Sequence, residues 1–349
     1  MPRKIRVACV QMDAAPAPTV ERLERAERLV TTAAQDGAQL VLLPEVFNTG
    51  YIYSEDNFLR VEEPGGQTIT WMESLAARLN LHLAGSLMLH EGNEITNALV
   101  LCAPDGRQWR YDKRHPWGWE RGYFRPGKDV CVADLRLGES AIPCRAGMLV
   151  CWDLVHADLW QSYAGRVDLM LVNSCPPDFP NAAWRLPDGA QLTLKDLGRI
   201  SERLTGSADA MFNGTLRQQA AWLGVPAMHA GACGRFSSPI PGGQFFTLAM
   251  LPMAPRLGRY LSQAKQVELS SAYVPACKII DAGGKVVAEL SQDQGETLTI
   301  AEIELADETP SPKEVQPKPS IPWAAYFLSD FILPWLSLSI YRRRLKYLQ

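Results

Sequence analysis

Apolar positions along this chain recur in two alternating rhythms. Ile5 to Gln11 is a short run rich in β-branched residues and predicts a strand, whereas Val20 to Gln35 places Val20, Leu23, Ala26, Val30 and Ala33 at helical spacing. The pairs Glu21/Arg25 and Glu24/Arg28 stand four apart on that helix, and Gly37 stops it. Leu40 to Leu43 is a continuous apolar strand ending at Pro44. Ile69, Met72, Leu75 and Leu79 predict a second helix closed by Asn80, and Leu81 to Leu87 returns as a strand. Asn97 to Ala103 and Gln108 to Tyr111 flank Pro104-Asp105-Gly106 as a hairpin. Met148 to Val150, Leu169 to Val172 and Val225 to Ala230 predict buried strands, the last preceded by a helix from Thr215 to Leu223. Lys278 to Ile280 and Lys285 to Leu290 surround a Gly-Gly turn, and Thr297 to Ile303 is a last strand. Such alternation predicts an α/β fold with helices layered on sheet.

Two stretches break the rhythm. Residues 176–213 and 236–273 read as insertions carrying loops or short helices, the second with an apolar run from Phe245 to Met253. A core of residues 1–308 is then followed by 309–322, where five prolines in 14 residues predict a stiff linker. Residues 323–349 form a separate apolar and basic helix.

The 349-residue chain has ordinary globular composition, 47% hydrophobic and 21% charged, and is long enough to bury a core without staples. Its formal charge of -3 gives no reason to bind nucleic acid. From Lys313 onward, however, six basic residues stand against two acidic ones, so the tail is a separate electrostatic object. None of the eight cysteines lies in a CxxC spacing or near paired histidines, which argues against a zinc site or a disulfide framework and for a reducing, cytoplasmic location. The N-terminal residues show no long secretory h-region.

Three chemistry-bearing side chains follow strand ends directly: Glu45 after Leu40 to Leu43, Lys113 after Tyr111, and Cys151 after Val150. Taken singly, the first two are ordinary loop charges and the third a small buried hydrophobe. Together they suit one reaction. An ammonium lowers a thiol's pKa, a carboxylate accepts its proton, and the ammonium with the backbone N-H of Trp152 stabilises the charge developing on an attacked amide or nitrile.

Leu42-Leu43-Pro44-Glu45-Val46-Phe47, Tyr111-Asp112-Lys113-Arg114-His115 and Gly147-Met148-Leu149-Val150-Cys151-Trp152-Asp153 resemble the three signature segments of the nitrilase (carbon-nitrogen hydrolase) superfamily, in its chain order and over roughly residues 5 to 305. The resemblance implies a four-layer αββα sandwich and a Glu-Lys-Cys triad, with Glu45 as general base and then acid, Lys113 as electrostatic stabiliser and Cys151 as nucleophile. It implies a second catalytic glutamate at Glu120, whose alternative is a loop carboxylate paired with Arg121 or Arg125. The implied activity is hydrolysis of a non-peptide amide through a thioester, with no metal or organic cofactor and with a homodimer or larger homo-oligomer as the working unit. A nitrile substrate, N-acyl transfer and a catalytically silent scaffold are the alternatives.

The sequence departs from the family pattern after the nucleophile, where Leu154 to Leu159 replaces an Arg-Phe-Pro-Glu run. His156 in this segment reads as a structural hydrogen-bonding residue. Tyr51, Trp117, Trp119 and Trp152 are candidates for an apolar pocket wall; Asn173 offers either a substrate hydrogen bond or a helix cap.

Ile321 to Tyr341 is long enough to span a bilayer, but Asp330, a helix-breaking Pro334 and a polar stripe of Tyr326, Ser329, Asp330, Ser337 and Tyr341 argue against crossing. With Arg342, Arg343, Arg344 and Lys346 behind it, the segment reads as a peripheral anchor on an anionic inner membrane surface, the other reading being a partner subunit.

Overall fold

Alternation of side chains along each strand divides the apolar residues between two layers of core, and this division builds the sandwich. The structure is a computed structural model describing residues 3–193, 196, 207–244, 248, 255–319, 321 and 323–348. In β1 (Arg3–Asp13), Ile5, Val7 and Cys9 face a core between two sheet halves. Ala8, Val10 and Met12 face a second core, shared with Leu23, Ala26 and Val30 of α1 (Thr19–Gln35) and Met72 and Leu75 of α2 (Gln67–Leu79).

The first half contains β2 (Leu40–Leu42), β3 (His82–Glu91), β4 (Glu94–Cys102) and β5 (Gln108–Asp112) in the order β5-β4-β3-β2-β1. β1 pairs with β16 (Thr297–Leu305) antiparallel through Gln11, then with β11 (Ala227–Cys233) in parallel from Gln11 to Asp13. That handover joins the second half, where β11 is followed by β8 (Leu169–Asn173), β7 (Ile142–Val150) and β6 (Val132–Leu137), with β14 (Lys278–Ile280) and β15 (Val286–Glu289) on the side of β11. Trp160 of α3 (Ala157–Tyr163) and Leu216 and Trp222 of α4 (Thr215–Leu223) cover this half. The fold is the four-layer αββα sandwich.

The interrupted stretches differ from the expectation of loops and short helices. They contribute β9 (Ala183–Arg185), β10 (Gln191–Thr193), β12 (Arg235–Pro239) and β13 (Glu268–Ala272), which form a four-stranded sheet ordered β10-β9-β13-β12. Strands of three to five residues are too short to display a period of two. Apart from the exposed Leu248, the apolar run from Phe245 to Met253 lies outside the described residues.

The C-terminal helix also differs. Pro334 does not break it: α5 (Trp323–Phe327) runs through a π-helical turn, Leu328–Ile332, into α6 (Leu333–Arg342). The wider turn precedes the proline, a known way of fitting a ring that lacks an N-H into a helix. This helix lies on its own chain, with Leu333 against Gly118 and Ile340 against Gly122. No helix among the described residues is long and apolar enough to cross a membrane.

Beside Lys113 two stretches of backbone come close together. Gly127 donates its N-H to the Lys113 carbonyl at 2.8 Å, and a Cβ at Gly127 would run into the carbonyl of Asp112. Backbone cannot yield as a side-chain tip does, so Gly127→Ala is expected to destabilise the fold by about 1–3 kcal/mol. A urea-unfolding midpoint unchanged from wild type would contradict this.

Candidate active site

Parallel order brings the candidate groups to one edge. β2, β7 and β8 run parallel to β1, and β5, reached from β3 through two antiparallel steps, shares their direction. Residues just beyond the carboxyl ends of these strands converge, which is where open α/β sheets hold ligands.

Lys113 occupies the centre. Its Nζ lies 2.8 Å from Glu45 Oε1 and 2.6 Å from Glu120 Oε2, and all three side chains are buried. Burial by itself would discharge the ammonium, but the carboxylates of Glu120 and Glu45 outweigh it and hold the Lys113 pKa well above the ordinary lysine value. Glu45 Oε1 also accepts from Asn97 Nδ2 at 2.8 Å, and its Oε2 from the Cys175 N-H at 3.0 Å. Glu120 accepts from the Trp117 N-H at 2.7 Å and from the Tyr51 hydroxyl, so it is no loop carboxylate paired to arginine. Burial raises the Glu120 pKa, Lys113 opposes the rise and Glu45 adds to it.

Cys151 opens the turn after β7 at φ +50°, and Val46, following Glu45, sits at φ +43°. These are two of only four non-glycine residues with positive φ among those described. Such backbone costs of order 1–3 kcal/mol and is characteristically stored at functional sites. Cys151 is 5% exposed, and Glu45, Lys113 and Glu120 are the charged neighbours of its thiol.

The sequence reading expects Lys113 to ionise this thiol. Instead, burial and then Glu45 push the Cys151 pKa well above the ordinary thiol value, and Lys113 offsets this only in part. The resting group is a neutral thiol that needs a base.

The remaining candidates sit as follows. Tyr51 is engaged with Glu120 and lies 3.0 Å from the Tyr53 hydroxyl, beside a water-sized void of about 10 Å³. Trp117 is half-buried and stacks on Phe179 of the insertion, centroids 4.7 Å apart. Asn173 donates to the Leu43 carbonyl at 3.3 Å, tying β8 to the segment before Glu45, and its buried Oδ1 has no hydrogen-bond partner among the described residues. Trp152 follows Cys151 directly, with its Nε1 donating to Asp330 Oδ1 at 3.0 Å.

Sequence reasoning missed four supports: Asn97, the Cys175 N-H, Asp153 and Asp330. Asp153 accepts from the Tyr111 hydroxyl at 2.8 Å and the His115 N-H at 2.7 Å, gripping the chain on both sides of Lys113 from the turn that carries Cys151. Burial raises its pKa to about 6 against the pull of Lys113. Its place two residues after the cysteine was the available signal.

His115, His156 and Asp158 bring one ligand-type atom each within 4.8 Å of one another. The two imidazoles stack at 3.6 Å and 10°, however, so their in-plane lone pairs run side by side. Neither ring can share an ion with the other until the pair splays.

The raised thiol pKa fixes a pH dependence. Less thiolate than for a free cysteine is present at pH 7, so alkylation of Cys151 by iodoacetamide should be slow there and climb through alkaline pH. Glu45→Gln removes the second-largest cause of the rise and should shift the profile to lower pH. A wild-type profile centred below the ordinary thiol value would overturn this, read by peptide mass spectrometry.

A sequence model of the carbon-nitrogen hydrolase family matches residues 6–196, more than half of the chain. The chain is 30% identical over 152 residues to a nitrilase of Pyrococcus abyssi, covering 43% of this chain and 56% of that one. It is 30% identical over 135 residues to the omega-amidase YafV of Yersinia enterocolitica, covering 38% and 48%. The chain thus spans about half the length of these curated relatives. The fold is similar to a CN-hydrolase superfamily protein of Xanthomonas campestris, with TM-score 0.60, 19% identity and coverage of 86% and 91%. It is likewise similar to Saccharomyces cerevisiae Nit3, with TM-score 0.60, 20% identity and coverage of 86% and 90%. With three signature segments gathered around one buried ammonium and the family match spanning them, the chain belongs to the carbon-nitrogen hydrolase family.

Proposed function

We propose that this chain hydrolyses the carbon-nitrogen bond of a small amide through a thioester on Cys151. The observation that carries the reading is a buried ammonium held between two carboxylates, beside a neutral thiol on a strained turn. Glu45 takes the thiol proton as Sγ attacks the carbonyl carbon, and the resulting oxyanion is met by Lys113 and the Trp152 N-H. That N-H belongs to the first turn of a 3-10 helix, Cys151–Val155, where leading donors lack intrahelical acceptors. Collapse of the adduct breaks the carbon-nitrogen bond, and Glu45 gives its proton to the departing ammonia or amine. Water deprotonated by Glu45 then attacks the thioester, releasing a carboxylic acid and restoring the thiol. Glu120, whose oxygens are taken by Lys113, Trp117 and Tyr51, holds the ammonium in place. Trp117 and its neighbour Phe179 supply the apolar wall.

The relatives named an omega-amidase and a nitrilase leave an amide and a nitrile both open; an amide is favoured because the ammonium suits a carbonyl oxyanion. The outward aromatic residues of the C-terminal helix and its basic end support peripheral association with an anionic membrane face, and with it an amphipathic amide as substrate.

Intact-mass spectrometry of the protein with a panel of amides and nitriles should show an acyl adduct, lost in Cys151→Ala. Glu45→Gln should lower turnover by about 100-fold or more, the scale of a general base. An adduct that persists in Cys151→Ala, or full turnover in Glu45→Gln, would refute the assignment.

A further inference from the structure

The C-terminal helix is inside-out. Tyr326, Ser329, Asp330, Ser337 and Tyr341, its polar stripe, face the protein: Ser329, Ser337 and Tyr341 are buried. The Tyr326 hydroxyl donates to the Val155 carbonyl, and Tyr341 Oη takes the Ile95 N-H at 3.1 Å while donating to Glu94 at 2.8 Å. Trp323, Phe327, Phe331 and Trp335, spaced by four, face outward, with Trp323, Phe331 and Trp335 each about two-thirds exposed or more. The first three rings stack in a ladder with centroids 5.3 and 5.8 Å apart.

Charge selects the occupant of this face. The only acidic side chain of residues 323–348 is Asp330, and it is turned inward onto Trp152. Arg343 pairs with Glu55 and Arg344 with Glu94, while Arg342 and Lys346 are exposed without ion-pair partners among the described residues. An aromatic ladder closed by free cations and lacking any carboxylate is complementary to an anionic bilayer.

The inner face of the same helix is part of the wall of the site. Asp330 holds the indole next to Cys151 at 3.0 Å, and Leu333, Ser337 and Ile340 pack on Gly118 and Gly122 of the short helix that carries Glu120. We propose that docking of the outer face on an anionic bilayer holds the inner face against the Cys151 turn and the Glu120 helix, with Asp330 as the positioning residue through which the bilayer acts on the site. This rests on the peripheral-membrane reading above and names its consequence. Leaving the protein would unpair Trp152 and the Ile95 N-H, whereas the outer face meets lipid with those bonds intact. Lipid therefore favours the docked helix, and by linkage the docked helix favours the ordered site.

The test uses the full chain with extruded vesicles of phosphatidylcholine, alone or with phosphatidylserine, and reads flotation together with the rate of Cys151 alkylation by iodoacetamide. Neither readout needs an amide to turn over. Wild type should float only with phosphatidylserine, and its Cys151 labelling should then rise about 5-fold or more. The double variant Phe331→Ser, Trp335→Ser should lose both responses. Asp330→Leu should float but lose the labelling response, and Asp330→Asn, which keeps an acceptor for the indole, should recover it. Tyr326→Phe, a gentler cut on the same face, should reduce the response if Asp330→Leu does not fold. Flotation without any change in labelling would overturn the coupling and leave the membrane reading standing. Absence of flotation would overturn both, as would a dimer in solution that the double variant dissociates, since a second copy would then own the face.

Discussion

A positive charge with no water around it is the constraint from which this structure follows. An ammonium buried as completely as that of Lys113 is stable only if anionic oxygen surrounds it, and the excess negative charge this brings must itself be bound by fixed donors. Asn97, the Cys175 N-H, the Trp117 N-H and Tyr51 provide those donors, each from a different segment. Four strand ends and a short helix must therefore be placed together to within hydrogen-bonding distance. The sandwich does this because parallel strands of both halves end at the same edge.

Charge balance at this centre also decides the state of the sulfur. Two carboxylates against one ammonium leave the surroundings of Cys151 net negative when all are ionised, which is why burial and Glu45 together prevail over Lys113. A neutral resting thiol protects a buried cysteine from adventitious oxidation, since reactivity follows thiolate character. It also makes Glu45 indispensable in the proposed chemistry, where proton transfer and attack must coincide. The left-handed backbone at Cys151 and Val46 has a compatible place: it turns the chain immediately beyond a strand, at the edge where Glu45 and Lys113 meet.

Much of this was legible in the sequence because burial writes itself as periodicity. Continuous apolar runs such as Leu40 to Leu43 mark strands covered on both faces, and the 3.6-residue stripes of α1 and α2 mark helices covered on one. Glu45, Lys113 and Cys151 were visible as polar residues abutting such runs. Their supports were not. Asn97 lies inside a strand and reads as an ordinary interruption, Cys175 contributes only its backbone, and β9, β10, β12 and β13 are too short for their pattern to rise above composition. The ionisation state of Cys151 was misjudged for a different reason: a sequence shows which charges are near but not how little solvent remains.

In the C-terminal helix the sequence pattern shows two faces but not which of them meets the protein. A helix packed on an apolar core turns its polar stripe to water. The rule reverses when the surface underneath is polar. The protein offers an indole N-H, a carbonyl, an amide and a carboxylate there, so satisfying Asp330, Tyr326 and Tyr341 against the chain leaves the apolar side outermost. The outcome is a segment whose hydrogen bonds bind it to the wall beside Cys151 and whose apolar side is left uncovered. In the proposed docking both properties meet in one helix, with lipid on its outer face and the indole beside Cys151 on its inner face.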